Sequence, residues 1–585
     1  MCGITGWYGS NADEGVVARM VDALRARGPD GTVVRRVSTA CVLGHTRLAI
    51  VDPSDAGQQP MSDASGNVWA VVNGEIYNHR SLRRELEARG IRFRSQCDSE
   101  VVVQGFAIWG RGVIDRLRGI FALAIVDTNT GEVLIARDRA GVKPLYYTLQ
   151  DGQLVFASEL KGLRASARVR LDYDPGSMHS FLARRYLPAP LTPYRGVFKL
   201  EAGHLLAFAD GRCTVMPYWA PTLIDDGRGF DDAADALAGD LADAVSAQLM
   251  SDAPVGLLLS GGIDSSSIAA LATRDGRPMH AFCCGFEEAS HDERPFARTA
   301  ADATGVELHE MVMTWPLLLR RMADFCEWFD EPFFNYSAIA IHELSRMARQ
   351  RGIKVLLAGE GADELFAGYL WYDDFATHAG GSDDAALERF FAYVGLFSAP
   401  MQEALAGRRL GLDHLDFLRR IDRPDLSPVS RAQWLDFHSF LPDDVLCRDD
   451  RASMAAGVEL RVPYLDDRLL THNFLLSQSL VYRSGERKHL LKRALERHLP
   501  QSVLTNRKKG FGFPLLAWQR QIRVLATRLL DNGSLIEWGY ASRTGIQQVL
   551  QQPNINLVWL LITAELWMRR YLAGEHIPTL LDEAT

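Results

Sequence analysis

Cys2 is the first residue of this sequence whose type and position suggest chemistry. A small residue after the initiator permits removal of Met1, which leaves Cys2 with both a thiol and a free α-amine. An α-amine has a pKa of roughly 7.7–8.0, close enough to neutrality to take the thiol proton without a histidine. Nucleophile and base can then be one residue. A second reactive segment lies far downstream, where Ser260-Gly261-Gly262-Ile263-Asp264-Ser265-Ser266 follows the apolar run Val255 to Leu259. Glycines admit close approach of an anion, the following helix aims N–H groups at it, and serines add hydroxyl donors. This predicts a phosphate cradle, and the missing Gly-Lys-Ser/Thr ending separates it from the usual γ-phosphate loop.

The neighbours of Cys2 form a pattern. Met1-Cys2-Gly3-Ile4-Thr5-Gly6, Arg27-Gly28-Pro29-Asp30-Gly31, Gly44-His45-Thr46-Arg47-Leu48-Ala49-Ile50, Asn73-Gly74-Glu75-Ile76-Tyr77-Asn78 and Asp98-Ser99-Glu100 follow one another in that order. Together they resemble the glutaminase domain of class II glutamine amidotransferases, which have the N-terminal nucleophile (Ntn) hydrolase fold. The resemblance implies that Cys2 attacks glutamine. Asn73 and the Gly74 N–H would form the oxyanion hole, Arg47 would take the α-carboxylate, and Glu75 and Asp98 the α-ammonium. Ile50 and Val51 would complete that pocket. Each role suits its residue type: a planar guanidinium fork matches a carboxylate, and preorganised donors stabilise a tetrahedral oxyanion.

The downstream loop resembles the PP-loop of ATP pyrophosphatases, which cleave between the α- and β-phosphates. Five further segments extend the likeness to the asparagine synthetase family. They are Gly359-Glu360-Gly361-Ala362-Asp363-Glu364-Leu365-Phe366, Leu441-Pro442-Asp443-Asp444, Arg451-Ala452-Ser453-Met454, Arg461-Val462-Pro463-Tyr464-Leu465-Asp466 and Arg507-Lys508-Lys509-Gly510-Phe511. By this resemblance Glu360 is the general base on attacking ammonia, Asp264 and Asp363 hold Mg²⁺, and Lys488 faces the acyl-adenylate and pyrophosphate. Leu259, Ser260, Gly261, Gly262, Ser265, Cys284, Ala358 and Gly359 would complete the ATP site. The implied enzyme is a glutamine-hydrolysing, asparagine synthase-type carbon–nitrogen ligase. It would use glutamine, ATP and a carboxylate, with aspartate the first candidate.

Three segments depart from the family pattern. Phe366-Ala367-Gly368-Tyr369 stands where Phe-Gly-Gly-Tyr is common, and Arg448 where lysine is usual. The stretch after Asp330-Glu331-Pro332 reads Phe334-Asn335-Tyr336-Ser337-Ala338-Ile339-Ala340, in place of an Asp followed by Ser-Ala-Ile-Pro. The resemblance puts that stretch near the acceptor carboxylate. A relative amidating another acid is therefore the principal alternative. An intramolecular amide former of the β-lactam synthetase kind needs no ammonia and is disfavoured by Cys2, Arg47, Asn73 and Asp98, while a non-catalytic ATP sensor is disfavoured by both reactive sets.

The elements that must position these residues are legible in outline. Up to about Leu200, strand-like runs at Cys41 to Ile50, Val68 to Val72, Ile120 to Val126, Val133 to Ala136 and Leu154 to Ala157 predict antiparallel sheet. Helical periodicity at Gly15 to Ala26, Arg80 to Arg89 and Ser99 to Trp109 predicts helices packed on it. Met216 to Gly229, rich in Pro, Asp and Gly, reads as a linker. Beyond it a helix from Asp231 to Met250 leads into strands at Val255 to Leu259, His280 to Gly285 and Lys354 to Ala358, with helical sequence between them, including Ser265 to Thr273. That alternation predicts a doubly wound parallel sheet with sites at its carboxyl edge. The expected fold is thus an α+β Ntn hydrolase sandwich over 2–215, a linker over 216–230, and an α/β PP-loop ATP pyrophosphatase domain over 231–585.

Composition narrows the partners. A net charge of −9 offers no broad basic surface to nucleic acid or anionic membrane. No apolar run is long enough for a bilayer span. The eight cysteines, at 2, 41, 97, 213, 283, 284, 326 and 447, have neither zinc nor disulfide-framework spacing, which fits a reducing cytoplasm. A homodimer is the assembly to test.

Overall fold

A computed structural model describes residues 2–222, 227–377, 383–473, 478–483, 485–505 and 512–584. Twelve strands precede residue 218: β1 (Cys2–Tyr8), β2 (Gly31–Ser38), β3 (Cys41–Arg47), β4 (Met61–Ser62), β5 (Val68–Ile76), β6 (Gly119–Asp127), β7 (Glu132–Arg137), β8 (Tyr146–Gln150), β9 (Gln153–Ala157), β10 (Val197–Lys199), β11 (His204–Ala209) and β12 (Arg212–Pro217). They form two six-stranded antiparallel sheets, ordered β10-β8-β9-β1-β3-β2 and β12-β11-β7-β6-β5-β4.

Strand alternation decides what each sheet face buries. Ile4 and Leu43 of one sheet meet Val71, Ala122, Ala124 and Ile135 of the other in a core between the sheets. The opposite face of β5 sends Val72 and Ile76 toward Val101, Val102 and Phe106 of the helix Glu100–Trp109. Val42 and Ala157 instead join Val16, Val17 and Met20 of the helix Glu14–Ala23. The result is a helix–sheet–sheet–helix stack, the Ntn hydrolase arrangement.

The helix Phe230–Gln248 then leads to β13 (Val255–Leu258), β14 (His280–Gly285), β15 (Glu307–Val312), β16 (Val355–Leu357) and β17 (Glu459–Arg461). All are parallel, in the order β15-β14-β13-β16-β17. Helices Ile263–Ala272, Arg294–Thr304 and Ser337–Arg349 occupy the crossovers, as parallel connections require. Among the described residues no helix is long and apolar enough to cross a membrane.

Several ends differ from the sequence reading. β3 stops at Arg47, because Ile50 leaves the sheet and its carbonyl accepts the Asp252 N–H at 2.9 Å. β5 runs on through Asn73-Gly74-Glu75 to Ile76, paired along its length with β6. The expected linker begins later than Met216: β12 extends to Pro217, in register with His204 of β11. Residues 223–226 of that linker and the Arg507-Lys508-Lys509-Gly510-Phe511 segment lie outside the described residues.

The seam between the antiparallel and parallel parts is charged and buried. Arg27 Nη1 lies 2.7 Å from both Glu159 Oε1 and Asp450 Oδ2, and Lys143 Nζ 3.5 Å from Asp450 Oδ1. Arg451 pairs with Asp330, and Lys199 Nζ lies 3.0 Å from Glu331 Oε1. Burial pushes the Glu159 carboxyl up, but Arg451, Lys161 and Arg27 together hold it well below the usual carboxylate range. Removing one member strands a charge out of water, so Arg27→Met is expected to cost about 3–5 kcal/mol. A carboxylate with a depressed folded pKa stabilises above its unfolded value and loses that contribution as pH falls. The gap between wild type and Arg27→Met, read from urea midpoints, should therefore be wide at pH 7 and narrow below about pH 4; an equal gap at both would contradict this charge network.

Candidate active sites

The first site lies at one end of the space between the two antiparallel sheets. Cys2 is in direct register with Arg47 across the β1–β3 pair, so both side chains share a face. On β5, alternation gives Asn73 and Glu75 the inward face that Val71 also uses. Asn73 Oδ1 accepts the Cys2 N–H at 3.1 Å, whereas its Nδ2 is buried with no hydrogen-bond partner. An orphaned amide donor beside a thiol is costly unless something oxygen-bearing joins it. Gly74 has φ +150°, and a Cβ there would stand 1.9 Å from the Ile120 carbonyl oxygen, so only glycine fits.

Arg47 is buried and donates to the main-chain oxygens of Ser54, at 2.7 Å, and Asp52. Val51 and Ile50 follow in the same loop, packing with Val355 and Met454 of the parallel part. Asp98 Oδ2 accepts the Ile76 N–H at 2.7 Å. Burial first, and the Asp98 charge second, raise the Glu75 carboxyl well above its ordinary value. Such a pair invites a cationic guest. Burial also raises the Cys2 thiol, so its proton needs a base in contact at neutral pH. His45, two pairs along and so on the same face, is not that base: burial and Arg47 push it down to about 3.

The second site sits at the carboxyl ends of β13, β14 and β16. A cavity of about 260 Å³ is lined by Leu259 and Ser260 from the loop after β13, by Asp264 and Ser265 from the first turn of the helix Ile263–Ala272, and by Cys284 from β14. Ala358, Gly359 and Glu360 line it from the loop after β16, and Asp363 from the short helix Ala362–Leu365 that follows. Gly261 takes φ +79°, where a Cβ would strike the Phe296 main chain at 2.2 Å; Gly262 caps the helix Ile263–Ala272. Ser265 Oγ accepts the Ser260 N–H at 3.2 Å, closing the turn around the helix N-terminus. The Cys284 thiol is buried, which pushes it up to about 12 and leaves it unreactive at neutral pH.

Lys488 gathers the carboxylates: its Nζ lies 2.6 Å from both Asp264 Oδ1 and Asp363 Oδ1. Behind them, burial pushes Glu364 up to about 8 and Asp436 to about 7, so these two do little to oppose an anion at neutral pH. Glu360 Oε1 lies 2.7 Å from Arg448 Nη2, and Arg448 also reaches Asp449 at 2.7 Å and Ser337 Oγ at 3.4 Å. Ser337 Oγ donates to Asn335 Oδ1 at 2.6 Å, and Asn335 Nδ2 donates to Asp444 at 2.5 Å. The segment that departs from the family pattern is thus wired to Glu360.

Two family models match the chain: "Asparagine synthase" over residues 236–569 and "Glutamine amidotransferase domain" over residues 1–219. The chain belongs to the asparagine synthase family. It is similar to asparagine synthetase [glutamine-hydrolyzing] 1 of Bacillus subtilis, at 28% identity covering 99% of this chain and 98% of that one. It is also similar to a putative asparagine synthetase [glutamine-hydrolyzing] of Mycobacterium bovis, at 32% over 93% and 90%, and to amidase chyE of Penicillium rubens, at 29% over 91% and 90%. Glutamine-dependent amidation is therefore its class of reaction.

Sequence reasoning missed three residues of this family member's sites. Arg461, noticed only within a motif, is fully buried on β17, with Nη2 3.3 Å from Glu75 Oε1 while its carbonyl accepts the Ala358 N–H at 2.9 Å. It touches both sites. Arg27 donates from Nε to the Cys2 carbonyl at 3.2 Å and pairs with Asp450. Arg185, carried by no motif, lies 3.4 Å from Asp444 and stacks over Phe440, which lines the cavity.

Gly368 gives the sharpest test of the second site's geometry. A Cβ there would fall 1.9 Å from Asp363 Oδ1 and 2.2 Å from Lys488 Cε. Gly368→Ala should displace both and lower amide formation about 100-fold, as misplacements of that size do. Glutamine hydrolysis should continue. Wild-type amide formation in the variant would show that the Lys488 cluster is not needed.

Proposed function

We propose that Cys2 frees ammonia from glutamine over residues 2–215, and that residues 231–585, reached through the 216–230 linker, pass it to a carboxylate activated by ATP. The observation that carries this reading is the unpartnered Asn73 amide beside Cys2, a donor placed to meet an oxyanion. After Met1 removal, the Cys2 α-amine takes the thiol proton. Sulfur then attacks the glutamine amide carbon, and Asn73 Nδ2 with the Gly74 N–H stabilises the tetrahedral oxyanion. The resulting α-ammonium protonates the departing ammonia, and water cleaves the thioester to glutamate. Arg47 takes the substrate carboxylate, Glu75 and Asp98 its ammonium, with Ile50 and Val51 bounding the pocket.

At the second site, Leu259, Ser260, Gly261, Gly262, Ser265, Cys284, Ala358 and Gly359 wrap ATP, largely through main-chain groups. An acceptor carboxylate oxygen attacks the α-phosphorus and the bond to pyrophosphate breaks. Ammonia then attacks the acyl-adenylate carbon, Glu360 takes the proton, and AMP leaves. Lys488 faces the negative charge of both steps. Asp264 and Asp363 already set two hard oxygen donors around one positive charge, a donor set that fits Mg²⁺, which supplies counter-charge for pyrophosphate.

Ammonia is mostly ammonium in neutral water, so an interior route preserves its nucleophilicity. Eight free thiols support a cytoplasmic location. Aspartate is the first acceptor. A second reading, another carboxylic acid in a biosynthetic pathway, is favoured by the Asn335 and Arg448 departures and by the amidase among the relatives.

Cys2→Ala should abolish glutamine-dependent amidation, by at least about 10³-fold, and leave reaction with added ammonium salt intact. Loss of both in a folded variant would refute two separate sites. With glutamine, Mg²⁺ and ATP, the nucleotide products should be AMP and pyrophosphate, and only the true acceptor among a panel of acids should support ATP–pyrophosphate exchange. ADP as the main product would overturn the adenylate mechanism, whereas exchange with an acid other than aspartate would select the second reading.

A further inference from the structure

The parallel sheet carries another polar cluster, at the edge away from the ATP loops. Those loops leave the carboxyl ends of β13 and β16, whereas His280 opens β14 and Glu307 opens β15. In the parallel β14–β15 pair, His280 stands beside Glu307 and Phe282 beside His309. Residues two apart on a strand share a face, so Glu307, His309 and His280 project together.

Their donor atoms converge. His280 Nδ1 lies 3.0 Å from His309 Nε2 and 3.3 Å from Glu307 Oε2, and His309 Nε2 lies 3.4 Å from Glu307 Oε1. Among the described residues, this is the one group of three or more His, Cys, Asp or Glu side chains with donor atoms so close together. A shared proton accounts for one edge of the triangle. A central cation accounts for all three, because ligands at about 2.0–2.1 Å from tetrahedral Zn²⁺ stand roughly 3.3–3.4 Å apart.

The ligands are also prepared for a metal. The His309 ring stacks on Phe282, centroids 5.1 Å apart, which fixes its direction.

We propose that His280, Glu307 and His309 bind one divalent cation of the zinc class, separate from the catalytic centre, and so tie the edge strand β15 to β14. Two imidazoles and one carboxylate leave a fourth position to water. Imidazole donors select Zn²⁺, Ni²⁺ or Cu²⁺ over Mg²⁺, so this site and the pyrophosphate site take different metals. A clamp on β15 is useful because an edge strand has backbone partners on one side alone.

The test is zinc titration of chelator-treated, full-length protein against a chromophoric competitor, with His280→Gln, Glu307→Gln and His309→Gln run in parallel. The wild type should bind one Zn²⁺ that each variant holds at least about tenfold more weakly. Co²⁺ should give visible d–d bands in the wild type alone, and zinc should raise the thermal midpoint of the wild type but not of the variants. Glutamine is close in shape to both histidine and glutamate, and circular dichroism identifies any variant that misfolds; the Co²⁺ spectrum of the wild type then decides. Equal zinc affinity in wild type and folded variants, or no uptake and no Co²⁺ bands at micromolar metal, would overturn the proposal.

Discussion

The contact on which the two-site arrangement depends is the buried triad of Arg27, Glu159 and Asp450. Asp450 sits on the helix Leu446–Ala455, which also carries Arg448 to Glu360. Arg27 holds Asp450 with one arm of its guanidinium and the Cys2 carbonyl with Nε. A rigid helix and one arginine thus connect the first residue of β1 to the loop after β16. Charges this deep are retained only where each has a partner, because desolvating an ion costs several kcal/mol. Neither half of the chain can move from the seam without exposing an unpaired charge.

Arg461 forms a second tie of a different kind. Its side chain neutralises part of the acidic environment of Glu75, while its backbone belongs to the sheet that ends in the ATP loop. Glu75 is raised by burial and by Asp98, and the Arg461 charge opposes that rise. Arg461 thus borders both sites. Distance alone does not insulate them, since the intervening groups are buried and poorly screened.

Much of this was legible because the chemistry is local in sequence. Cys2, the Asn73-Gly74-Glu75 run and the Ser/Gly loop are contiguous motifs, and the strands around them have strong apolar patterns. β2, with Arg35 and Arg36 exposed, and the three-residue strands β10 and β17 carry too little pattern to be read. Pairings were the greater loss. Nothing in the spacing of Arg27 and Asp450, or of Arg461 and Glu75, announces that they meet; only the packing of two sheets against a third does. His280 and Glu307 are separated by a helix, and their convergence depends on strand register. Gly74 lies within a paired strand, and glycine is required there because the Ile120 carbonyl approaches too closely for any side chain.

Two of the three departures from the family pattern are linked by one side chain. Where lysine is usual, Arg448 presents a planar fork and contacts Glu360, Asp449 and Ser337 together. A lysine ammonium is a single point charge and does not hold three partners in one plane. Ser337 in turn fixes Asn335, and Asn335 fixes Asp444, against which Arg185 rests. The change at 448 and the altered stretch at Asn335 and Ser337 thus form one hydrogen-bonded unit, running from Glu360 to Asp444. A change anywhere in that unit is transmitted to Glu360 through the Arg448 guanidinium, so the departing stretch and Glu360 are positioned together.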